Sequence, residues 1–239
     1  MIFQNFGFNQ NYPITSIVLT SANLVLDLDA ANYSAIPTNG TTIAGTGGYT
    51  ITTSNTNSSM AWSATAGGIF QKTSNNDTDM LRFGPNYSST SQAYTVMMVY
   101  RSVSGTPGRL LNANTASPDW LMGLWGNAGG VQDIFYNGSF LGSSNTAQTG
   151  DWRFAWMTYN GTTTTNAYAA GNTAPTGTHG TKAGNGGFNG LRLFGRFVSS
   201  VQNTEVVTAD VGLVKVWDGA LTLSEIQTQH GLYKTRFGY

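Results

Sequence analysis

The chain has 239 residues, a formal net charge of zero and charged side chains at only 9% of its positions. No basic stripe is present to neutralise phosphates, which excludes nucleic acid as a main partner. Cysteine is absent, so packing and backbone hydrogen bonds must supply the stability that disulfides give to small secreted domains. The length suffices for one β-sandwich domain with a sizeable core.

The first segment, residues 1–21, is rich in Asn and contains Phe3, Phe6 and Phe8. Exposed phenylalanines in a terminal segment are unfavourable unless something covers them. The segment is therefore predicted to be either an edge strand packed on its own domain or an assembly arm laid on a neighbouring subunit. Because no signal-peptide pattern and no bilayer-length apolar run is seen, we expect synthesis in a host cytoplasm and no membrane insertion.

A strong strand pattern opens the remainder, residues 22–239, which we interpret as a single domain. Leu24, Leu26 and Leu28 alternate with Asp27 and Asp29, so the leucines share one face of a strand and the aspartates the other. Paired carboxylates can bind a hard cation or perform acid–base chemistry. A solvated face, or a cap for the following turn, is the favoured interpretation.

Asp77 and Asp79 form a second carboxylate pair, in an Asn/Asp-rich stretch. Their oxygens are weak candidate ligands for Ca²⁺, since the further carboxylate of an EF-hand loop is missing. A polar turn is the favoured interpretation of the stretch, so the sequence predicts no cofactor.

Strand patterns recur through the middle of the chain, at residues 94–103, 109–111, 119–126, 131–140, 151–159 and 166–170. Two Asn-Gly pairs, Asn137-Gly138 and Asn160-Gly161, are typical of tight β-hairpins. The Gly/Thr-rich residues 172–189 predict a long loop, and residues 191–198 predict another strand.

The last strand pattern spans residues 211–217 and is apolar on both faces. Alternation places Gly212, Val214 and Val216 on one face and the other four residues, Val211, Leu213, Lys215 and Trp217, on the opposite one. A strand apolar on both faces is covered on both, so we predict a central position.

A short amphipathic helix is predicted to follow. Thr222 and Glu225 have the spacing of a capping box, in which each side chain bonds a backbone N–H of the other residue. Ile226, His230 and Tyr233 then continue at helical spacing. Together the elements predict an all-β, two-sheet antiparallel sandwich closed by one C-terminal helix.

Several stretches resemble laminin-G-like, concanavalin A-like jelly-roll domains: residues 26–34 (LDLDAANYS), 119–123, 135–138, 151–153 and a tail made of 214–226 and 233–238. The tail is the most specific, and the resemblance covers residues 22–239. It implies a jelly roll of two curved sheets and, often, glycan binding or adhesion. Members with this polar composition and no signal peptide resemble phage and virus structural proteins.

Enzymatic chemistry finds little support in the sequence. Glucanases of the resembled superfamily carry a Glu-x-Asp-x-Glu-like strand motif, which neither of the two glutamates, Glu205 and Glu225, reproduces. Neither His179 nor His230 has a spacing that places a base beside a serine. We therefore expect a protein that is not an enzyme, although an Asp/Asp pair remains an open alternative.

Glycan binding requires an exposed aromatic face with planar polar partners nearby. Residues of this kind lie at predicted strand ends; the candidates are Asn86, Tyr87, Asp119, Trp120, Trp125 and Asn127. Because Trp120 and Trp125 lie on opposite faces of one strand, at least one is expected in the core.

The leading functional hypothesis is a non-enzymatic virion surface protein, of the capsid-decoration or fibre type. Its expected partners are identical copies of itself, other virion proteins and possible host-surface glycans. A neutral, polar surface suits close repeated packing. The first alternative is a free carbohydrate-binding lectin, and a glycoside hydrolase is the second.

Overall fold

A computed structural model describes residues 20–45, 47–54, 59–75, 80–84, 93–105, 107–113, 120–127, 130–143, 150–162, 164–170, 180–183, 188, 190–197 and 203–239. These ranges contain, in chain order, β1 (Leu24–Asp29), β2 (Thr50–Ser54), β3 (Met60–Ser63), β4 (Ile69–Lys72), β5 (Met80–Gly84), β6 (Ala93–Ser102), β7 (Gly108–Ala113), β8 (Trp120–Asn127), β9 (Gly130–Asn137), β10 (Phe140–Ser143), β11 (Arg153–Asn160), β12 (Thr164–Ala170), β13 (Gly180–Ala183), β14 (Leu191–Leu193), β15 (Arg196–Phe197), β16 (Asn203–Thr204), β17 (Ala209–Trp217) and α1 (Leu223–Phe237), with 3₁₀ turns at Ala30–Asn32 and Thr65–Gly67.

Two antiparallel sheets form the sandwich. The first sheet has the order β13-β12-β11-β6-β17-β4-β3, and β1 pairs with the half of β17 that β4 leaves free. The second sheet has the order β10-β9-β8-β7-β14-β5-β2, and β15 pairs with β16 in a separate ribbon. The structure confirms the predicted all-β jelly-roll sandwich with one C-terminal helix.

The main core lies between the two sheets. Because side chains alternate along a strand, one face of each strand points into this core. In β6 this face is formed by Tyr94, Val96, Met98 and Tyr100, all almost fully buried. The neighbouring positions Met97 and Val99 belong instead to a second apolar cluster on the outer face of the first sheet. β6 is therefore covered on both sides, as a central strand of such a sandwich must be.

Helix α1 covers the outer face of the first sheet and completes this second cluster, which includes Leu213, Trp217, Ile226 and Phe237. Both halves of the predicted capping box of Thr222 and Glu225 are formed. The helix has 15 residues and ends at Gly238, which adopts a left-handed conformation with φ 72° that glycine tolerates best. In the described part of the chain, no helix is long and apolar enough to cross a bilayer.

The central position of β17 is confirmed, because every residue from Ala209 to Trp217 is buried. The predicted assignment of its two faces is wrong at one end. The register of β17 against β6 shifts between Val211 and Leu213. As a result, the side chain of Val211 points into the inter-sheet core together with that of Val214, and Gly212 faces Phe237 of the helix instead. Such a bulge places two residues opposite one and breaks strict alternation.

Three other sequence expectations need correction. The single strand predicted at 191–198 is split into β14 and β15, because Phe194 and Gly195 take positive φ values of 68° and 153°. The loop predicted at 172–189 includes β13, which pairs with β12. The turn after β9 is longer than predicted: Tyr136 pairs with Phe140 across three intervening residues, rather than two.

Candidate functional site

Several predicted site residues lie outside the described residues, so their predicted roles stay predictions. They are the arm residues Phe3, Phe6 and Phe8, the carboxylates Asp77 and Asp79, and the glycan candidates Asn86, Tyr87 and Asp119.

Trp120 was predicted as a glycan platform, and the structure contradicts that role. Its side chain is 0% exposed in the core between the sheets, where its indole Nε1 donates to the hydroxyl of Tyr94 at 2.9 Å. Phe188 packs against its ring at a centroid distance of 5.2 Å. Alternation along β8 directs Trp120, Met122 and Leu124 inward together, so no sugar can reach this indole.

Trp125 lies on the opposite, outer face of β8 and is half-buried. It pairs across the ladder with Gln132 of β9. Asn127 is the last residue of the same strand. Glycan binding by these two residues remains a prediction.

Asp27 and Asp29 form ion pairs that tie the first strand to the end of the chain. Asp27 pairs with Lys215 of β17 at 2.8 Å, and Asp29 pairs with Arg236 of α1 at 2.6 Å. Asp29 also accepts a hydrogen bond from the backbone N–H of Ala31 at 2.9 Å. The predicted cap of the following turn is confirmed, and both carboxylates have structural partners.

The two glutamates are also engaged, and by different elements. Glu205 accepts from Arg109 Nε at 2.5 Å and from Arg196 Nη1 at 3.1 Å. Glu225 accepts from the backbone N–H of Thr222 at 2.7 Å, and the hydrogen bonds from Thr222 and Ser21 outweigh the effect of burial and lower its pKa. Within the described ranges, no three His, Cys, Asp or Glu side chains gather as a metal site would require.

Sequence reasoning missed a groove at the end of the first sheet, where β4 and β6 finish and β17 begins. We call it the Arg101 groove. Its volume is about 330 Å³, and its lining residues are Gln71, Lys72, Thr73, Arg101, Ser102, Val103, Gly150 and Asp210. Six of the eight lining residues have polar or charged side chains, and Val103, 49% exposed, adds an apolar contact surface.

Three lining residues form one cross-strand row in the groove. Asp210 of β17 stands opposite Gln71 of β4 on one side and opposite Arg101 of β6 on the other. Its Oδ1 accepts from Gln71 Nε2 at 3.2 Å, and its Oδ2 accepts from Arg101 Nε at 2.6 Å. The Asp210 side chain is only 2% exposed, whereas that of Arg101 is 30% exposed. The row therefore presents a guanidinium supported by a buried carboxylate.

The guanidinium of Arg101 is also held from its other side. It lies over the ring of Trp152 at 5.1 Å from the centroid, and Trp152 packs on Phe237 of α1 at 4.7 Å. A cation over an indole face is attracted by the ring quadrupole. Arg101 is thus fixed before any ligand arrives, and α1 contributes indirectly to that arrangement.

The sequence carried a partial signal for this groove. Asp210 is a charged residue near the start of a strand whose only other charged residue is Lys215, and a carboxylate buried there must find partners. Its partners are 139 and 109 residues away, so nothing in the local pattern identifies them.

No protein-family model matches the sequence, and no curated protein matches it. Among solved structures, the chain is similar to domain 4 of AbnA, a GH43 extracellular arabinanase from Geobacillus stearothermophilus solved in complex with arabinotriose. The TM-score is 0.57 at 17% identity, over 87% of this chain and 98% of that one.

Two further binding domains are similar as well. The binding domain of Paraclostridial Mosquitocidal Protein 1 matches with a TM-score of 0.56 at 14% identity, over 89% of this chain and 52% of that one. The receptor binding domain of botulinum neurotoxin C/D mosaic serotype matches with 0.57 at 12% identity, over 87% and 51%. The chain thus spans about half the length of these two binding domains. At such identities the similarities show a shared jelly-roll sandwich fold.

Proposed function

We propose that this chain is a non-catalytic carbohydrate-binding domain and that the Arg101 groove is its binding site. The observation that carries the proposal is the preformed row of Gln71, Asp210 and Arg101, held in place by hydrogen bonds and an ion pair. Sugar hydroxyls both donate and accept hydrogen bonds, so the amide of Gln71 and the guanidinium of Arg101, both held in place by the buried carboxylate of Asp210, match them. The C–H face of a sugar can rest on Val103.

The size and fold of the domain support the same proposal. A volume of about 330 Å³ is near the lower end of ligand sites, which favours a short segment of a glycan. The arabinanase domain that shares the fold was solved with arabinotriose. Because the matched structure is one domain of a larger arabinanase, its similarity to this chain is consistent with a binding domain that is attached to other domains.

The carboxylates support a non-catalytic role. Glycoside cleavage uses two carboxyl groups about 5–9.5 Å apart on either side of the scissile bond. Among the described lining residues of the Arg101 groove, Asp210 is the carboxylate, and it is buried against Arg101. Glu205 and Glu225 are bound to arginines and to the helix cap respectively.

Binding is tested first on a glycan array and then by isothermal titration calorimetry with the best glycan retained there. We expect Arg101→Gln to weaken binding at least tenfold, because it removes a charged donor from the groove. Gln71→Ala, which keeps the Arg101–Asp210 ion pair, should weaken binding several-fold. Circular dichroism of each variant verifies the fold.

Two further variants make the test specific. Lys234→Gln removes a positive charge from an exposed position on α1 and should leave the affinity unchanged. Trp125→Ala tests the other aromatic candidate, and we expect it to leave the affinity unchanged as well. Loss of binding in Trp125→Ala alone would move the site to β8, and an array on which no glycan is retained would contradict the proposed function.

The proposed setting is the surface of a virion, with the domain present in several identical copies. The support comes from the uncharged polar composition and from the Phe-rich residues 1–21. Light scattering coupled to size-exclusion chromatography should show an oligomer for the full chain and a smaller species after deletion of residues 1–21. A monomer in both cases would contradict the assembly role of the arm and leave the glycan-binding proposal intact.

A further inference from the structure

We infer that the Arg101 groove selects acidic saccharides, in which a carboxylate of the sugar is bound by the outer end of the Arg101 guanidinium. The inference rests on the proposed carbohydrate-binding function and specifies its substrate class. Its basis is the way the hydrogen-bond donors of Arg101 are used: Nε donates to Asp210 within the cross-strand row, and the two terminal nitrogens have no acceptor among the described residues.

The inner edge of the guanidinium is already used. Nε donates to Asp210 Oδ2 at 2.6 Å, whereas no acceptor among the described residues bonds Nη1 or Nη2 of Arg101. A guanidinium has five N–H donors in a fixed plane, and the pair at its end forms two parallel hydrogen bonds to a carboxylate. The geometry leaves that end available to a ligand.

Asp210 does not stand in the way of an acidic ligand. Both of its oxygens are engaged, one by Gln71 and one by Arg101, and its side chain is 2% exposed. Its negative charge is therefore directed at the arginine and away from solvent. Lys72 also lines the groove, but its side chain is fully buried and its Nζ donates to Ser59 Oγ at 2.8 Å. Among the described lining residues, the exposed cation is therefore Arg101.

The arginine is rigid enough to make this recognition selective. Trp152 holds one face of the guanidinium and is itself braced by Phe237. Little side-chain entropy is then lost when a ligand binds, which raises affinity without new contacts. Because lysine presents a point charge and no planar fork, it is not an equivalent residue here.

The test compares two probes that differ at one carbon: methyl β-D-glucuronide, with a carboxylate, and methyl β-D-glucoside, with a hydroxymethyl group. Their dissociation constants are measured on the full chain by NMR titration of the tryptophan indole and backbone amide signals. We expect the glucuronide to bind at least tenfold more tightly. Arg101→Lys should reduce this preference to about two- or threefold, and Lys234→Gln should leave it unchanged.

Each contrary result has a distinct meaning. Equal affinity for the two probes would overturn the acidic preference while leaving a neutral-sugar site. A preference that persists undiminished in Arg101→Lys would overturn the assignment of the carboxylate to Arg101. Displacement of the glucuronide by acetate at an equal concentration would show a simple anion site and overturn the inference. Absence of binding by both probes, together with an empty glycan array, would remove the proposed function itself.

Discussion

Asp133→Asn is expected to lower the free energy of unfolding by about 3–5 kcal/mol, the usual cost of breaking a buried ion pair from one side. Asp133 of β9 is 1% exposed and pairs with Arg153 of β11 through Nη2 at 2.7 Å. It also accepts a hydrogen bond from the hydroxyl of Tyr100 of β6. The substitution preserves the shape of the side chain and removes its charge, so the arginine is left without its buried counter-ion.

The network matters because it connects the two sheets of the sandwich. Tyr100 and Arg153 are directly opposed in the first sheet, whereas Asp133 belongs to the second. Burial, reinforced by the charge of Asp133, raises the pKa of Tyr100 well above its usual value. The phenol therefore keeps its proton across the ordinary pH range and remains a donor to Asp133.

Urea denaturation followed by tryptophan fluorescence measures this loss. Asp151→Asn is the matched control, because Asp151 is exposed and surface substitutions usually change stability by less than about 0.5 kcal/mol. Tyr100→Phe removes a donor but keeps the charges, and should cost about 1–3 kcal/mol. A combined variant whose loss equals the sum of the single losses would show that these residues do not act as a network.

Gly212→Ala is expected to destabilise the protein by about 1–3 kcal/mol, the range for overpacking a filled core. A Cβ built on Gly212 would lie 2.2 Å from Cζ of Phe237. Phe237 is 5% exposed and packs on Trp152 and Tyr239, so its ring cannot move without disturbing the second apolar cluster. Since Trp152 holds Arg101, we also expect weaker ligand binding in this variant.

The same substitution elsewhere gives a control of opposite sign. Gly231 lies within α1, and a Cβ added there meets no atom within 4 Å, so Gly231→Ala should stabilise the helix by about 0.5–1 kcal/mol. The double variant Gly212→Ala/Phe237→Ala should be no less stable than Phe237→Ala alone, because the clash is gone. If Gly212→Ala unfolds at the same temperature as the parent chain, close packing of α1 on β17 is not required.

Predictions from local patterns succeeded where a short-range rule fixes the result. The capping box needs only Thr222 and Glu225, three positions apart, and it is formed. The cap made by Asp29 spans two residues. β17 was predicted as central because both of its faces are apolar, and its complete burial follows from the same property.

Other predictions failed where the outcome depends on partners distant in sequence. Alternation established that Trp120 and Trp125 point in opposite directions, but only the packing of their sheet against the first sheet decides which direction is inward. The bulge that reverses Val211 and Gly212 arises where β17 changes its alignment with β6. Its cause lies in tertiary pairing, to which a one-strand pattern is insensitive.

The amino-acid order by itself determined the elements: an all-β sandwich, a doubly covered last strand and one capped helix, because periodicity and capping act over a few neighbouring residues. Only the tertiary structure decided the site. Gln71, Arg101 and Asp210 come together because three strands align in one register, and that register results from burying the whole core at once rather than from any local preference.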